Sequence, residues 1–593
     1  MDYKDTVFLP KTEFPMRAGL PRKEPEILKI WEEQKIYQTL RKKRSSSEKY
    51  ILHDGPPYAN GNLHMGTALN KILKDIINRF YSMLGKDANY VPGWDCHGLP
   101  IEWKIEEKYR KKGQNKDTIP IIEFRKECRD FAQKWMDIQS KEFQRLGVCG
   151  DFSNPYTTMT YEAEASIARE IGKFLLNGSL YRGAKPVMWS VVEKTALAEA
   201  EIEYENHKSV TIYARFPIKN SNIENLDGTD VVIWTTTPWT IPGNRAVAFS
   251  KDINYAVIEI NNVANDSLAK TGSKILIAEE LIASVMSECK IENWKVVSSL
   301  KGADLKNIIL NHPLSEFGYN FSIPLLPAKF VNLDQGTGFV HIAPGHGEDD
   351  FLLGQEYGIE TPETVSGDGK ILDHLPLFAG MHVLRDNPKI ADLMSDKGAL
   401  LGRGELIHSY PRSWRSKAPL IFRNTPQWFI SMTSNKLRDT ALSEIEKTQF
   451  YPSAGKQRLY SMIKNRPDWC LSRQRAWGIP IPVFIRKENG EPLKDTKVMQ
   501  NIVEAFKKEG SDAWFSSPPE RFLGLEYEKD DYYQVMDIAD VWFDSGSTHA
   551  FVLEDREDLK SPADLYLEGS DQHRGWFHSS LLESVGSRGK APF

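Results

Sequence analysis

The sequence predicts an α/β protein built on a doubly wound parallel sheet and interrupted by a large β-rich insertion. Three observations point there. A strand–loop–helix–strand pattern occupies residues 50–91, β-branched runs at strand spacing fill residues 195–404, and strand–loop–helix texture rich in aromatics and arginine returns from residue 405.

Taken in order, residues 24–44 read as a helix with Ile27, Ile30 and Trp31 on one face, running into Arg41-Lys42-Lys43-Arg44. That basic run suits either a solvated linker or a phosphate-backbone contact. Tyr50-Ile51-Leu52 reads as a short buried strand, followed by a loop from His53 to Gly66 that carries Gly55, Gly61 and two prolines. Leu69, Ile72, Leu73, Ile76, Ile77 and Phe80 then recur at helical spacing, a strong amphipathic helix. Asn89-Tyr90-Val91 reads as the next strand and closes a βαβ unit. Val210–Tyr213, Val231–Ile233, Tyr255–Ile260 and Lys274–Ala278 read as strands of the insertion, separated by turn clusters such as Asn220–Asn225. The expected organisation is an N-terminal helical extension (1–48), the first half of the sheet domain (49–194), the β-rich insertion (195–404) and the second half (405–593).

Composition narrows the class. With 40% hydrophobic residues and 15 Trp, the 593-residue chain can bury several cores, so a disordered or collagen-like chain is excluded. The 76 basic against 81 acidic residues, a net of −5, exclude a histone-like polycation, although local basic patches could still meet a nucleic acid. The five cysteines lie far apart with no CxxC pair, which excludes a disulfide framework and fits a reducing compartment. Neither a signal peptide nor a run of about 18 apolar residues is visible, so a cytoplasmic protein without membrane contact is expected.

The chemistry begins at the first strand-to-helix turn. A glycine-rich loop between a parallel strand and a helix offers backbone N–H groups and a helix dipole to an anion. Here the turn carries His64-Met65-Gly66-Thr67: Gly66 admits phosphate close to the backbone, and His64 can donate a ring N–H. Neither GxxxxGK[ST] nor GxGxxG follows the strand, which disfavours a P-loop NTPase and a dinucleotide dehydrogenase.

Five ordered segments then carry a resemblance. Asp54–Thr67, Val91–Pro100, Cys470–Gly478, Val541–Gly546 and Tyr566–Phe577 resemble the signature segments of class I aminoacyl-tRNA synthetases, in their isoleucine-type form, across essentially the whole chain. The resemblance implies a split Rossmann-like sheet, the β-rich insertion being an editing domain. It implies ATP-dependent activation of isoleucine and transfer to the 3′ end of tRNA(Ile), with ATP and Mg²⁺ as cofactors and a monomeric state. Such catalysis needs alignment and charge stabilisation rather than a covalent enzyme intermediate.

By that likeness His64, Gly66 and Thr67 are catalytic. Pro56, Tyr58, Asn60, Glu568, Gly569, Asp571 and Gln572 join His64 around ATP and the adenylate. Asp95 meets the substrate ammonium, and Pro56, Trp477 and Trp576 wall the aliphatic side chain, with Gln572 beside them. Thr67 stands where the family usually has a second His; a hydroxyl still hydrogen-bonds phosphate but cannot become cationic. Arg41–Arg44 and Arg473–Arg475 are expected to help hold the RNA.

A pocket that admits isoleucine cannot exclude valine, since one methylene is worth only ~1–3 kcal/mol, a recognised limit for synthetases of this kind. The insertion carries Trp234–Thr240 and Gly336–Asp350, which resemble the family's editing pocket. The resemblance gives Asp350 the ammonium of a mischarged valine and lets His341, His346, Thr235, Thr236 and Thr237 position substrate and water. His341, His346 and Asp350 also admit a metal-site reading, but the family edits without a required catalytic metal. Trp189–Glu193 and Pro411–Trp414 stand where some relatives carry zinc-binding cysteines, so no zinc is expected. The family's KMSKS loop, anticodon-binding region and C-terminal zinc module are expected beyond residue 593, so the chain reads as a truncated form. The alternatives are a valine-specific relative and an RNA-binding deacylase that activates no amino acid.

Overall fold

The computed structural model describes residues 3–8, 12–13, 17–224 and 226–593; Met1 and Asp2 of the polar start and Asn225 of the turn cluster lie outside them. The chain forms two compact units. One comprises Met1–Leu180, Ile430–Trp469 and Arg475–Phe593; the other comprises Tyr181–Phe429 and Cys470–Gln474.

In the first unit the expected single helix over 24–44 is two, α1 (Leu20–Glu33) and α2 (Ile36–Arg44), because Lys35 sits at φ 50° and breaks the hydrogen-bond ladder. There follow β1 (Leu52–His53), α3 (Met65–Met83), β2 (Gly93–Trp94), α4 (Leu99–Lys111), α5 (Ile121–Arg145), β3 (Tyr156–Thr157) and α6 (Tyr161–Leu176). The strand expected at Asn89–Val91 pairs slightly later, at Gly93–Trp94. Pairing among these strands is parallel: β3 lies beside β2, bridges at Lys49↔Asp87 and Tyr58↔Asp95 join the β2 segment to the β1 segment, and β1 lies beside Leu565–Tyr566. Two stretches some 500 residues apart in sequence thus share one sheet, as a doubly wound fold requires.

Helix α3 forms where its periodicity predicts but faces the other way. Its buried residues are Lys71, Lys74 and Asn78, whereas Leu69, Ile76 and Phe80 are 59%, 56% and 51% exposed. Two carboxylates beneath the helix give the lysine face a better partner than any apolar core there.

The second unit is a mixed sheet. Its strands are β4 (Ile202–Asn220), β5 (Thr229–Thr235), β6 (Ala246–Phe249), β7 (Asn254–Val263), β8 (Lys274–Ala278), β9 (Ile291–Lys301), β10 (Ile309–Asn311), β11 (Ser322–Pro327), β12 (Phe339–Ile342) and β13 (Leu400–Ser413). They run in the order β9-β7-β8-β5-β4-β10-β11-β6-β12, with β13 also on β4. Ile212, Val231, Ile233, Val257 and Ile275 fill its core. The boundaries expected at 194/195 and 404/405 move outward to 180/181 and 429/430. Pairing is the reason. Strand β13 lies antiparallel to β4 from Leu400↔Ala214 to Ser413↔Ile202, and Trp189-Ser190 pairs with Thr195-Ala196, so either expected cut would sever a ladder. The Glu193 carboxylate accepts from the Ser413 hydroxyl at 2.7 Å and the Ser416 N–H at 3.1 Å.

Among the described residues no helix is long and apolar enough to cross a membrane.

Candidate active site

The segment Asp54–Ala59 is the hub of the first unit's site. At one end the Gly55 N–H donates to Glu568 Oε1 at 3.1 Å. At the other, Asp95 N donates to the Pro57 carbonyl at 2.9 Å and Ala59 N to the Asp95 carbonyl at 3.0 Å. Glu568 and Asp95 therefore border one six-residue stretch. Gly55 is obligatory there, because a Cβ would lie 2.5 Å from Glu568 Oε1 and 2.9 Å from the Trp576 ring.

Beneath the hub lies an ion cluster that sequence reasoning missed. Lys74 Nζ donates to Asp54 Oδ1 at 2.6 Å and Glu568 Oε1 at 2.5 Å; Lys71 also pairs with Asp54. Asn70 Nδ2 donates to Glu568 Oε2 at 2.8 Å. Burial alone would raise the Asp54 carboxyl, yet the two ammonium groups hold it at about 2. Burial lowers Lys71 to about 8 despite Asp54. Glu568 is thus committed to structural partners on both oxygens. The signal was available: two lysines three residues apart share a helix face, but polar helix positions default to solvent.

The phosphate turn is open. His64 caps α3 and is exposed, its Nδ1 accepting from Thr67 N–H at 3.3 Å and its Nε2 lying 3.1 Å from Thr67 Oγ1. That pairing uses the hydroxyl found where the family usually has a second His. A Cβ at Gly66 would press on His64 Cε1 at 2.9 Å, so a larger residue there would displace the His64 ring. Pro56, Tyr58 and Asn60 are half-buried along the same loop. On the opposing turn Gly569 and Asp571 are exposed, and Gln572 accepts from Trp576 N–H at 2.9 Å while donating to Asp571 at 3.0 Å.

Asp95 is 3% exposed, and among the described residues no lysine or arginine pairs with it. Burial first, then nearby Asp544, push its carboxyl well above the usual carboxylate range. Trp477 is fully buried: its Nε1–H donates to the Cys96 carbonyl at 2.7 Å and its backbone N–H to Glu102 at 3.0 Å. Trp576 stacks on Tyr566 with centroids 4.1 Å apart. One indole therefore adjoins the Asp95 end of the hub and the other the Gly55 end.

The expected RNA contact at Arg473–Arg475 is corrected. Both arginines are only 6% exposed; Arg475 pairs with Glu102 and Glu106 at 3.0 and 2.9 Å, and Arg473 lies 3.7 Å from Glu201. Acidic partners draw these cations inward. Arg41 pairs with Asp87, leaving Lys42 and Lys43 exposed.

The second unit holds its own polar cluster. Asn244 Nδ2 donates to His341 Nδ1 at 2.7 Å, which fixes the other ring nitrogen as donor to Thr240 Oγ1 at 2.9 Å. Thr240 in turn lies 3.2 Å from Thr237 Oγ1, itself 3.1 Å from Thr235 Oγ1. Thr236 follows half-buried in the same turn. Burial lowers His341 to about 3, so the ring is neutral and orients hydroxyls. His346 donates from Nδ1 to the Phe422 carbonyl at 2.9 Å and accepts from Thr364 at 2.5 Å, so its ring fastens the scaffold. Asp350, in the first turn of α7 (Glu348–Glu356), accepts from the Ala343 N–H at 2.8 Å, two residues past His341. Burial raises its carboxyl to about 7. Among the described residues no group of three or more His, Cys, Asp or Glu could hold a metal.

The family model for tRNA synthetases class I (I, L, M and V) matches residues 26–593. Similar proteins include the isoleucine--tRNA ligase of Pelagibacter ubique (strain HTCC1062), 58% identical over all of this chain and 65% of that protein. That of Gluconobacter oxydans (strain 621H) is 52% identical over all of this chain and 63% of that protein. The chain thus spans just under two thirds of the curated relatives it matches. Among solved structures, the LeuRS-tRNA-LeuAMS ternary complex of Agrobacterium radiobacter K84 agnB2 aligns over 97% of this chain and 66% of that one, at 15% identity and a TM-score of 0.42.

Proposed function

Because the chain belongs to the class I tRNA synthetases (I, L, M and V), we propose that it activates isoleucine with ATP and serves its transfer to tRNA(Ile), the second unit clearing mischarged valyl-tRNA(Ile). Asp95 carries the reading: a buried carboxylate that pairs with no lysine or arginine among the described residues, on a backbone hydrogen-bonded to the loop that leads into α3, suits an ammonium group. The isoleucine specificity is supported by the names of relatives at 52% and 58% identity.

In the first step an isoleucine carboxylate oxygen attacks the α-phosphorus of ATP and pyrophosphate leaves. Asp95 anchors the amino group. The α3 N-terminus with His64 and Thr67 steadies phosphate charge, and Gly66 admits it to the backbone. Pro56, Trp477 and Trp576 shape the side-chain pocket. Glu568, locked by Lys74 and Asn70, fixes the Gly55 turn, and Gly569, Asp571 and Gln572 would receive the adenylate ribose. Among the described residues no group of three or more His, Cys, Asp or Glu could hold a metal, so Mg²⁺ would arrive on the triphosphate oxygens. The aminoacyl ester then forms when a ribose hydroxyl of the tRNA displaces AMP. In the second unit Asp350 would hold the valyl ammonium while the Thr235–Thr240 hydroxyls, ordered by His341, place water at the ester.

Calorimetric titration with a non-hydrolysable isoleucyl-adenylate mimic tests the reading. Binding is expected, with loss of about tenfold or more in Asp95→Asn, which keeps the shape but removes the charge. Equal affinity of parent and variant would exclude Asp95 as the ammonium receptor.

A further inference from the structure

Behind Asp95 lies a polar layer that the foregoing roles do not use. The His97 ring is fully buried between two carboxylates, Nδ1 at 2.8 Å from Asp544 Oδ2 and Nε2 at 3.4 Å from Glu164 Oε1. Asp544 belongs to the helix Val541–Gly546, Glu164 to α6, and His97 to the segment that follows Asp95, so one imidazole ties three elements together. Arg129 of α5 reaches the same Glu164 oxygen at 2.8 Å. The ring also stands edge-on to Trp477, with centroids 4.9 Å apart. Beyond burial, Asp540 also acts on Asp544 and raises its carboxyl, while burial together with Asp544 and Asp540 pushes the Glu583 carboxyl well above the usual carboxylate range. Among the described residues Asp544 Oδ1 has no hydrogen-bond partner.

The charge balance follows from these contacts. Two carboxylates facing both ring nitrogens favour the imidazolium. Burial opposes it, but Asp544 and Glu164 outweigh burial and leave His97 above its ordinary value. Asp544 repels a charge on Asp95, while His97 and its backbone N–H favour one. Glu164 has a second cation in Arg129; among the described residues Asp544 pairs with this ring alone.

We propose that His97 is a positioning residue of the amino-acid pocket: its ring offsets the charge of Asp544, as Arg129 offsets that of Glu164, so that Asp95 supplies the negative charge that meets the ammonium group of an α-amino acid. The inference rests on the role of Asp95 proposed above. It differs from a scaffold role in a definite way: only ligands bearing the ammonium should feel the loss of His97.

The test compares two probes, isoleucyl-sulfamoyladenosine and its counterpart lacking the amino group, titrated calorimetrically against the full chain. In His97→Gln the amino form should weaken by about tenfold, the effect of roughly one pKa unit on the Asp95 carboxyl. The des-amino form should stay within about twofold of the parent on the same scale. Adding Asp544→Asn removes the opposing carboxylate and should restore most of the amino-form affinity. That double variant also decides the matter if the single variant does not fold: recovery supports the proposal, and a lost amino preference overturns it. Equal weakening of both probes, or no change in either, overturns it too. If the parent binds neither probe, the proposed function itself fails; if the parent binds both and the substitution leaves their ratio unchanged, only this inference does.

Discussion

Single residues carry the sharpest consequences. Lys74 sits fully buried between Asp54 and Glu568, so Lys74→Met leaves Glu568 without its ammonium partner and Asp54 with Lys71 alone. Such a loss costs about 3–5 kcal/mol, and denaturant titration of the variant should show it; a cost below ~1 kcal/mol would contradict the ion cluster. Asp350 gives a pH dependence. Its carboxyl is raised to about 7, so the charge that would hold a valyl ammonium is missing below that pH and present above it. Valyl-tRNA clearance should therefore rise as pH passes through about 7 and be absent in Asp350→Ala; a flat profile would sink the assignment. Asp95 and Asp350 were legible in sequence through their motifs. Lys71, Lys74 and the His97 pairings were not, because the carboxylates that recruit them lie up to about 490 residues away in the chain.

Among elements, α3 is the instructive one. Its periodicity gave the helix and its capping turn, yet not which side faces inward. Leu69, Ile76 and Phe80 point outward because Asp54 and Glu568 lie beneath Lys71 and Lys74. Ile76→Gln should therefore change the stability of this chain by no more than about 0.5 kcal/mol. Ile275→Ala, at a fully buried position of β8, should cost about 2–5 kcal/mol. Reversal of that order in equilibrium unfolding would refute the inverted orientation. The strands of the insertion were legible for a simpler reason: β-branched runs such as Val231–Ile233 are buried on both faces and leave a continuous apolar signature.

At the scale of the molecule, the second unit is nearly one continuous run, Tyr181–Phe429, with its own apolar core. Excised, that run should fold and melt cooperatively by circular dichroism; a gradual, non-cooperative melt would refute its independence. The first unit is assembled from three separate stretches and is not expected to survive removal of its C-terminal portion, which supplies the strand Leu565–Tyr566 beside β1. Local pattern alone determined the α/β class, the β-rich insertion, the helix that follows the His64 turn and the family, since those depend on periodicity and on short contiguous motifs. Only the tertiary structure decided where the units divide, which face of α3 is buried, and that Arg473 and Arg475 lie within the protein. Those outcomes turn on electrostatic and hydrogen-bond partners brought together from distant parts of the chain, which no local window contains.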